Sequence, residues 1–152
     1  MIRIRQATIE DEAGVFDLLR RLLSGETASE STFNRQSDAA TFREIVKNDG
    51  KGTILVAEED DDLVGLLTLS YPVAIRCGGR YTCIEEFIVS ERTRGKGVGG
   101  RLLEAAIAEA TSKGCDEIQV NRPSELGYPV YLQHGWEDLG KHLNMKLPRQ
   151  AL

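Results

Sequence analysis

One stretch narrows the possible folds of this chain more than any other: Val89 to Ala110, VSERTRGKGVGGRLLEAAIAEA. Glycines stand at 95, 97, 99 and 100, with Arg92, Arg94, Lys96 and Arg101 among them and Glu91 as the one acid. Val98, Leu102, Leu103, Ala106, Ile107 and Ala110 recur at the spacing of one helix face and predict a helix that Gly114 ends. Phe87-Ile88-Val89, just before the segment, is apolar like a strand. Glycine lets the main chain approach a ligand with no Cβ in the way. The first N–H groups of a helix have no internal partner and point outward, at the end of the dipole that favours anions. The segment therefore predicts an anion cradle, and a diphosphate suits it. The plainer alternative is a helix start whose glycines serve tight packing.

Gly95, Gly97 and Gly100 also satisfy G-x-G-x-x-G. The dinucleotide-binding version belongs in a first strand–helix unit, with an acidic residue about 20 positions on. Here the pattern lies two thirds along the chain, and the next strand ends at Val120-Asn121. No G-x-x-x-x-G-K-[ST] is present.

The rest of the chain reads as alternating elements. Ile2 to Arg5 alternates like a strand. Thr8 with Asp11 marks a helix start, and Ile9, Ala13, Phe16, Leu19 and Leu23 mark one helix face. Gly25 ends that helix, and 25–37 is a polar loop. A second helix is expected from about Ala39 to Lys47, with Phe42, Ile45 and Val46 inward. TILVAEE and LVGLLTLS are strands joined by an acidic turn; the cluster Glu58 to Asp62 is a solvated turn rather than a cation site. RYTCIEEFIV and DEIQV are further strands, SELGYPVYLQHG a short helix started late by Pro129, and WEDLG with HLNMKL a closing hairpin. The fold class is α/β or α+β with a mixed sheet.

A length of 152 residues suits one domain, 1–152. The net charge of -5 argues against a nucleic-acid partner. No apolar run approaches the roughly 18 residues of a membrane span, and Met1 to Arg5 has no signal core, so a cytoplasmic protein with no membrane partner is expected. Cys77, Cys83 and Cys115 form no C-x-x-C pair, and His134 and His142 are poorly spaced for zinc; no metal site is expected.

Arg94-Gly95-Lys96-Gly97-Val98-Gly99 matches the [QR]-x-x-G-x-[GA] signature of the GCN5-related N-acetyltransferases (GNAT), and GYPVYLQHGW resembles that family's later A-x-x-x-Y-x-x-x-G-F element, with Gly127, Tyr131 and Trp136 at the marked positions. Element order and length agree across the chain. The resemblance implies a GNAT-like mixed, mostly antiparallel central sheet flanked by about four helices. It also implies acetyl-CoA as co-substrate, with its pyrophosphate on the main chain of Arg94, Gly95, Lys96, Gly97, Val98 and Gly99. The pantetheine arm would pair like an added strand with Phe87, Ile88 and Val89, and Asn121 and Ser124 would also contact it. The thioester would lie where that strand splays from Glu117 to Val120. A homodimer is expected by resemblance alone.

Acetyl transfer to an amine needs a neutral amine, a stabilised carbonyl oxygen and a tolerated thiolate. An alkyl ammonium has a pKa of about 10.4, so a carboxylate base is useful. Glu85 and Glu86 sit in an otherwise apolar strand; adjacent residues point to opposite faces, so at most one should face the acceptor. YTCIEEFIVSERTRGKGVG is similar to the diamine acetyltransferases, where the first acid of the pair is the base; that is Glu85 here. The same resemblance makes Tyr131 the general acid, with Tyr128 one turn away as the weaker choice. Peptide N-terminal acetyltransferases often carry a glutamate at the position of Gln119. Gln119 is no base, which turns the reading toward Glu85. Cys83 as a covalent acetyl carrier has no histidine beside it in sequence. The expected reaction is direct transfer from acetyl-CoA to a small-molecule primary amine in a ternary complex. The alternative is a non-catalytic acyl-CoA-binding sensor or interaction module of the same fold.

Overall fold

A computed structural model describes residues 1–22, 35–140, 142–143 and 145–148. The element order is β1 (Ile2–Gln6), α1 (Glu12–Leu22), α2 (Gln36–Lys47), β2 (Gly52–Glu59), β3 (Asp62–Ser70), β4 (Val73–Ala74), β5 (Gly79–Arg80), β6 (Thr82–Val89), α3 (Val98–Ser112), β7 (Ile118–Val120) and α4 (Tyr128–Gln133). The central sheet runs β1-β2-β3-β6-β7, and β4 and β5 form a separate two-stranded ribbon. Every pairing in the central sheet is antiparallel except β6 with β7. The expected mixed, mostly antiparallel sheet is found. The acidic hairpin turn is also there: Asp60 and Asp61 both take positive φ, 51° and 66°, as a tight two-residue turn requires.

Alternation along β2 builds the two core layers. Ile54 and Val56 face α1 and α2, where they pack with Val15, Leu18, Phe42, Leu66 and Ile88. Leu55 and Ala57 face the other way, into a core with Leu67, Ile84, Leu102, Leu103 and Tyr131. Helix α3 buries the predicted stripe, with Val98, Leu102, Leu103, Ala106 and Ala110 inside. Gly114 closes the helix at φ 74°, and Cys115 N–H reaches back to the Ala110 carbonyl at 3.1 Å.

Three expectations change. Thr8 does start a helical segment, its N–H held by the Asp11 carboxylate at 2.7 Å. Residues Ile9–Asp11, however, form a 3-10 turn before α1 begins at Glu12. The tighter turn shifts the phase, so Ile9 and Ala13 are exposed and Val15, Phe16, Leu18 and Leu19 are buried. Leu23, Gly25 and most of the 25–37 loop lie outside the described residues, and α2 begins at Gln36, earlier than Ala39. The closing hairpin is absent among the described residues: no strand follows β7. Asp138 accepts the Gly140 N–H at 2.9 Å and the Tyr128 hydroxyl at 2.9 Å, so the segment after Trp136 turns and is tied to α4 instead of extending.

Candidate active site

Where β6 meets β7, the pairing lasts for three residues: Thr82 with Ile118, Cys83 with Gln119 and Ile84 with Val120. Beyond Ile84 the two strands part, and β6 keeps only β3 as a neighbour. The Glu86 and Ser90 N–H groups point toward β3, to Thr68 Oγ1 at 3.0 Å and the Val64 carbonyl at 2.8 Å. Alternation then turns the main-chain groups of Phe87 and Val89 to the open edge.

A cleft of about 560 Å³ opens along that edge. Phe87, Ile88, Val89, Arg94 and Gly95 line it, followed by Gly97, Val98 and Gly99 at the start of α3. Ser124, Val130 and His134 line it from the side of α4. Gly95 and Gly97 both stand at φ 78°, and a Cβ at either would meet no protein atom within 4 Å. Open space faces both positions, and the backbone shape is one that L side chains rarely adopt. Gly99 and Gly100 differ: added Cβ atoms would lie 3.4 Å from the Phe87 ring and 3.1 Å from the His134 ring. Two of the four glycines thus shape the loop at the cleft, and the other two let α3 pack closely.

The basic side chains are less free than the sequence suggests. Arg92 pairs with Asp62 at 3.1 Å, Arg94 with Glu91 at 3.6 Å and Lys96 with Glu59 at 4.0 Å. Arg101 donates to the Ile2 carbonyl at 2.7 Å, tying α3 to β1. Two of the four cations are thus met by acids distant in sequence. Lys96 is absent from the residues lining the cleft, whereas Arg94 is among them. Arg21 of α1 also lines the cleft, as do Gln133 and His134; nothing in the sequence pattern marks these three.

A smaller cleft of about 110 Å³ shares Phe87 and Ser124 with the first. Glu85, Glu86, Asn121 and Tyr131 line it. Ser124 has a structural task as well, since its Oγ accepts the Gly127 N–H at 3.0 Å where α4 begins. The Asn121 side-chain amide donates to Cys83 Sγ at 3.9 Å. Tyr131 is buried, with its ring edge-on to Phe87 at 5.7 Å and to Trp136 at 4.9 Å. Burial raises its phenol above the ordinary value, and Cys83 adds to this, so the hydroxyl stays protonated through the neutral range. Burial, with the charge of Glu85, likewise pushes the Cys83 thiol up to about 11. Tyr128 is held away by Asp138.

The two glutamates depart from simple alternation. Leu69 faces Ile84 and Thr68 faces Glu86, so Glu85 is an extra residue opposite no partner on β3. This is a β-bulge, which re-aims side chains at the point where pairing is disturbed. Thr68 and Ser70 lie two apart on β3 and share one face. Thr68 Oγ1 donates to the Glu86 carboxylate, and Ser70 Oγ donates to Glu85 at 2.6 Å. Both carboxylates therefore stand on the side of β6 that carries α1 and α2, contrary to the expectation that they point apart. Tyr131 belongs to the opposite layer, with α3. Glu85 is exposed. Glu86 is more enclosed: burial first, then the charge of Glu85, pushes its carboxyl up to about 7.

Residues 15–136 match the model of the acetyltransferase (GNAT) family. The chain is 27% identical over 143 residues to the uncharacterized N-acetyltransferase YhfO of Bacillus subtilis (strain 168), covering 90% of this chain and 91% of that one. It is 29% identical over 131 residues to glucosamine 6-phosphate N-acetyltransferase 1 of Oryza sativa subsp. japonica, covering 82% and 74%. In fold it is similar to the crystal structure of a predicted acetyltransferase with acetyl-CoA from Clostridium acetobutylicum, with a TM-score of 0.82, 20% identity and 96% of both chains covered.

Proposed function

Since the chain belongs to the GNAT acetyltransferase family and is an N-acetyltransferase, we propose that it transfers an acetyl group from acetyl-CoA to a small primary amine by direct attack in a ternary complex. The observation that carries this reading is the free edge of β6 running into the glycine loop. Acetyl-CoA has a diphosphate next to an arm rich in amides. Main-chain N–H groups of the loop from Arg94 to Gly99, at the start of α3, would hold the diphosphate; those of Arg94 and Lys96 donate to the Glu91 and Thr93 carbonyls at 3.3 Å, so the task falls mainly to Gly95, Gly97, Val98 and Gly99. Lys96 would serve least of the loop residues, because its side chain turns toward Glu59 and its N–H donates to the Thr93 carbonyl at 3.3 Å. The main-chain groups of Phe87 and Val89 would pair with the arm as an added strand does. Asn121 and Ser124 line the far wall, where β7 has parted from β6.

When bound, acetyl-CoA supplies an acetyl group activated as a thioester. This chain supplies a carboxylate on one side of β6 and a phenol on the other. Glu85, at the exposed rim, would meet the incoming amine; the local likeness of the sequence to diamine acetyltransferases supports it as the base. Tyr131, in the opposite layer, donates a hydrogen bond toward the sulfur. A phenol raised above its ordinary value gives up a full proton to a thiolate, near pKa 8.5, only uphill, so its contribution is mainly to shelter the developing charge. The raised Cys83 thiol supports direct attack over a covalent acetyl-enzyme, because it supplies little thiolate at neutral pH. The similarity to a glucosamine 6-phosphate acetyltransferase supports an amino sugar as one acceptor class. The family resemblance extends the proposal to a cytoplasmic homodimer.

Titration calorimetry with acetyl-CoA tests the donor site. Wild type binds, and Gly97→Val loses about 100-fold in affinity, because a β-branched residue at positive φ strains the loop and its side chain fills the space facing it. Equal affinity in the two proteins removes the diphosphate from this loop.

A further inference from the structure

Arg122, just after β7, is unusual in both its backbone and its side chain. Its backbone is left-handed, at φ 52°, and it directly precedes Pro123. Residues with a Cβ rarely adopt that shape, and a following proline pushes the residue before it toward extended backbone. Glycine or asparagine would make the same turn at less cost, so an arginine kept there implies a use for its side chain. That side chain is also uncommitted. Every other arginine among the described residues has a partner, whether an acid, a main-chain carbonyl or another group, and Arg122 has none.

Arg122 is exposed and lines the cleft of about 110 Å³, together with Glu85, Glu86, Asn121, Ser124 and Tyr131. The two carboxylates do not neutralise it. Glu85 accepts from Ser70 at 2.6 Å and Glu86 from Thr68, and both hydroxyls belong to β3. Opposite charges therefore line one small cleft without meeting. Resting on the acetyltransferase reading above, we propose that the acceptor is a primary amine that also carries an anionic group, a phosphate or a carboxylate, and that Arg122 binds that group.

The planar fork of a guanidinium matches two oxygens of such a group, and charge-assisted pairs of this kind are the strong polar contacts. The amine end then lies toward the glutamates, so the cleft orients its acceptor by charge at both ends. A polyamine has no group for Arg122 and brings further positive charge beside it. The acceptor class thus moves away from diamines, toward phosphorylated amino sugars or amino acids. Arg21 and Arg94 line the larger cleft next door, but each has an acid partner, Asp17 and Glu91. Arg122 holds the acceptor and takes no part in bond making.

The test uses the full chain and two matched pairs of amines: glucosamine 6-phosphate against glucosamine, and 4-aminobutyrate against butylamine. Calorimetry with CoA present, so that the glycine loop is filled, reads the anion contact without turnover. Wild type binds the anionic member of at least one pair about 10- to 100-fold more tightly than its counterpart. A preference confined to the first pair assigns a phosphate, and one confined to the second a carboxylate. Arg122→Gln brings the members of the pair within about threefold, and Arg122→Lys keeps part of the preference, as a point charge without the fork does. In CoA-release assays Arg122→Gln raises KM for the anionic amine more than it lowers kcat, whereas kcat/KM for spermidine rises. Arg122→Gly relieves the backbone, so its Tm is no lower than that of wild type while the preference is lost; a purely structural arginine would not give that combination. Wild-type affinity of Arg122→Gln for both anionic amines, or an equal loss of its acetyl-CoA affinity, overturns the assignment. Arg122-dependent anion binding with no CoA release from any of these amines instead strikes the transferase reading beneath it.

Discussion

Cys83 and Ile84 at the beginning of β6 have partners on both sides, Ser70 and Leu69 on β3 and Gln119 and Val120 on β7. Phe87 and Val89, further along the same strand, have β3 on one side and a cleft on the other. The composition of the two halves barely differs. What differs is the length of the neighbour, because β7 ends after Val120. An unpaired strand edge is a recognition surface by default, since its N–H and C=O groups need partners. The same strand is thus paired on both sides in one half and open along one edge in the other, and the bulge at Glu85 sits at the junction.

Proline substitutions break the comparison most sharply. At Ile88 the N–H points toward β3 and the side chain is buried, so Ile88→Pro lowers stability by about 2–4 kcal/mol. At Val89 the N–H faces the cleft, so Val89→Pro costs about 1 kcal/mol or less of stability yet weakens acetyl-CoA binding about tenfold. Thermal denaturation and calorimetry measure both; equal losses of stability would mean the edge at Val89 is not free. Tyr131→Phe keeps the ring packed against Phe87 and Trp136 and removes only the hydroxyl. Its kcat drops about tenfold with acetyl-CoA affinity intact, and wild-type turnover would take the phenol out of the reaction. The smallest effects separate two neighbouring cations. Arg94→Ala weakens acetyl-CoA binding about threefold to fivefold, since its side chain lines the cleft. Lys96→Ala changes it less than about twofold, since that side chain turns to Glu59. A larger effect at Lys96 would return it to the binding surface.

The features legible in the sequence are local. The stripe of α3 needs only helical periodicity, the acidic hairpin turn only two residues that tolerate positive φ, and the open loop only glycines before a helix start. The features that were not legible depend on partners far along the chain. Asp62 and Glu59 meet Arg92 and Lys96 across the hairpin turn, and no spacing announces that. Arg21 arrives from a helix more than 60 residues away. The phase of α1 was misread because a 3-10 turn advances the chain faster than an α-turn, and the closing hairpin because Asp138 forms a local turn that alternation does not reveal.

By itself, the sequence determined the family, the glycine loop before α3 and the order of the main elements from β1 to α4, the short β4–β5 ribbon apart, because each follows from residue type and near-neighbour spacing. Only the tertiary structure decided that β6 leaves one edge open and that Glu85 and Glu86 share a face. Both depend on how strands pair across the sheet: one neighbour stops short, and the other lacks a residue opposite Glu85. Strand register is a property of two segments at once, and neither segment alone encodes it.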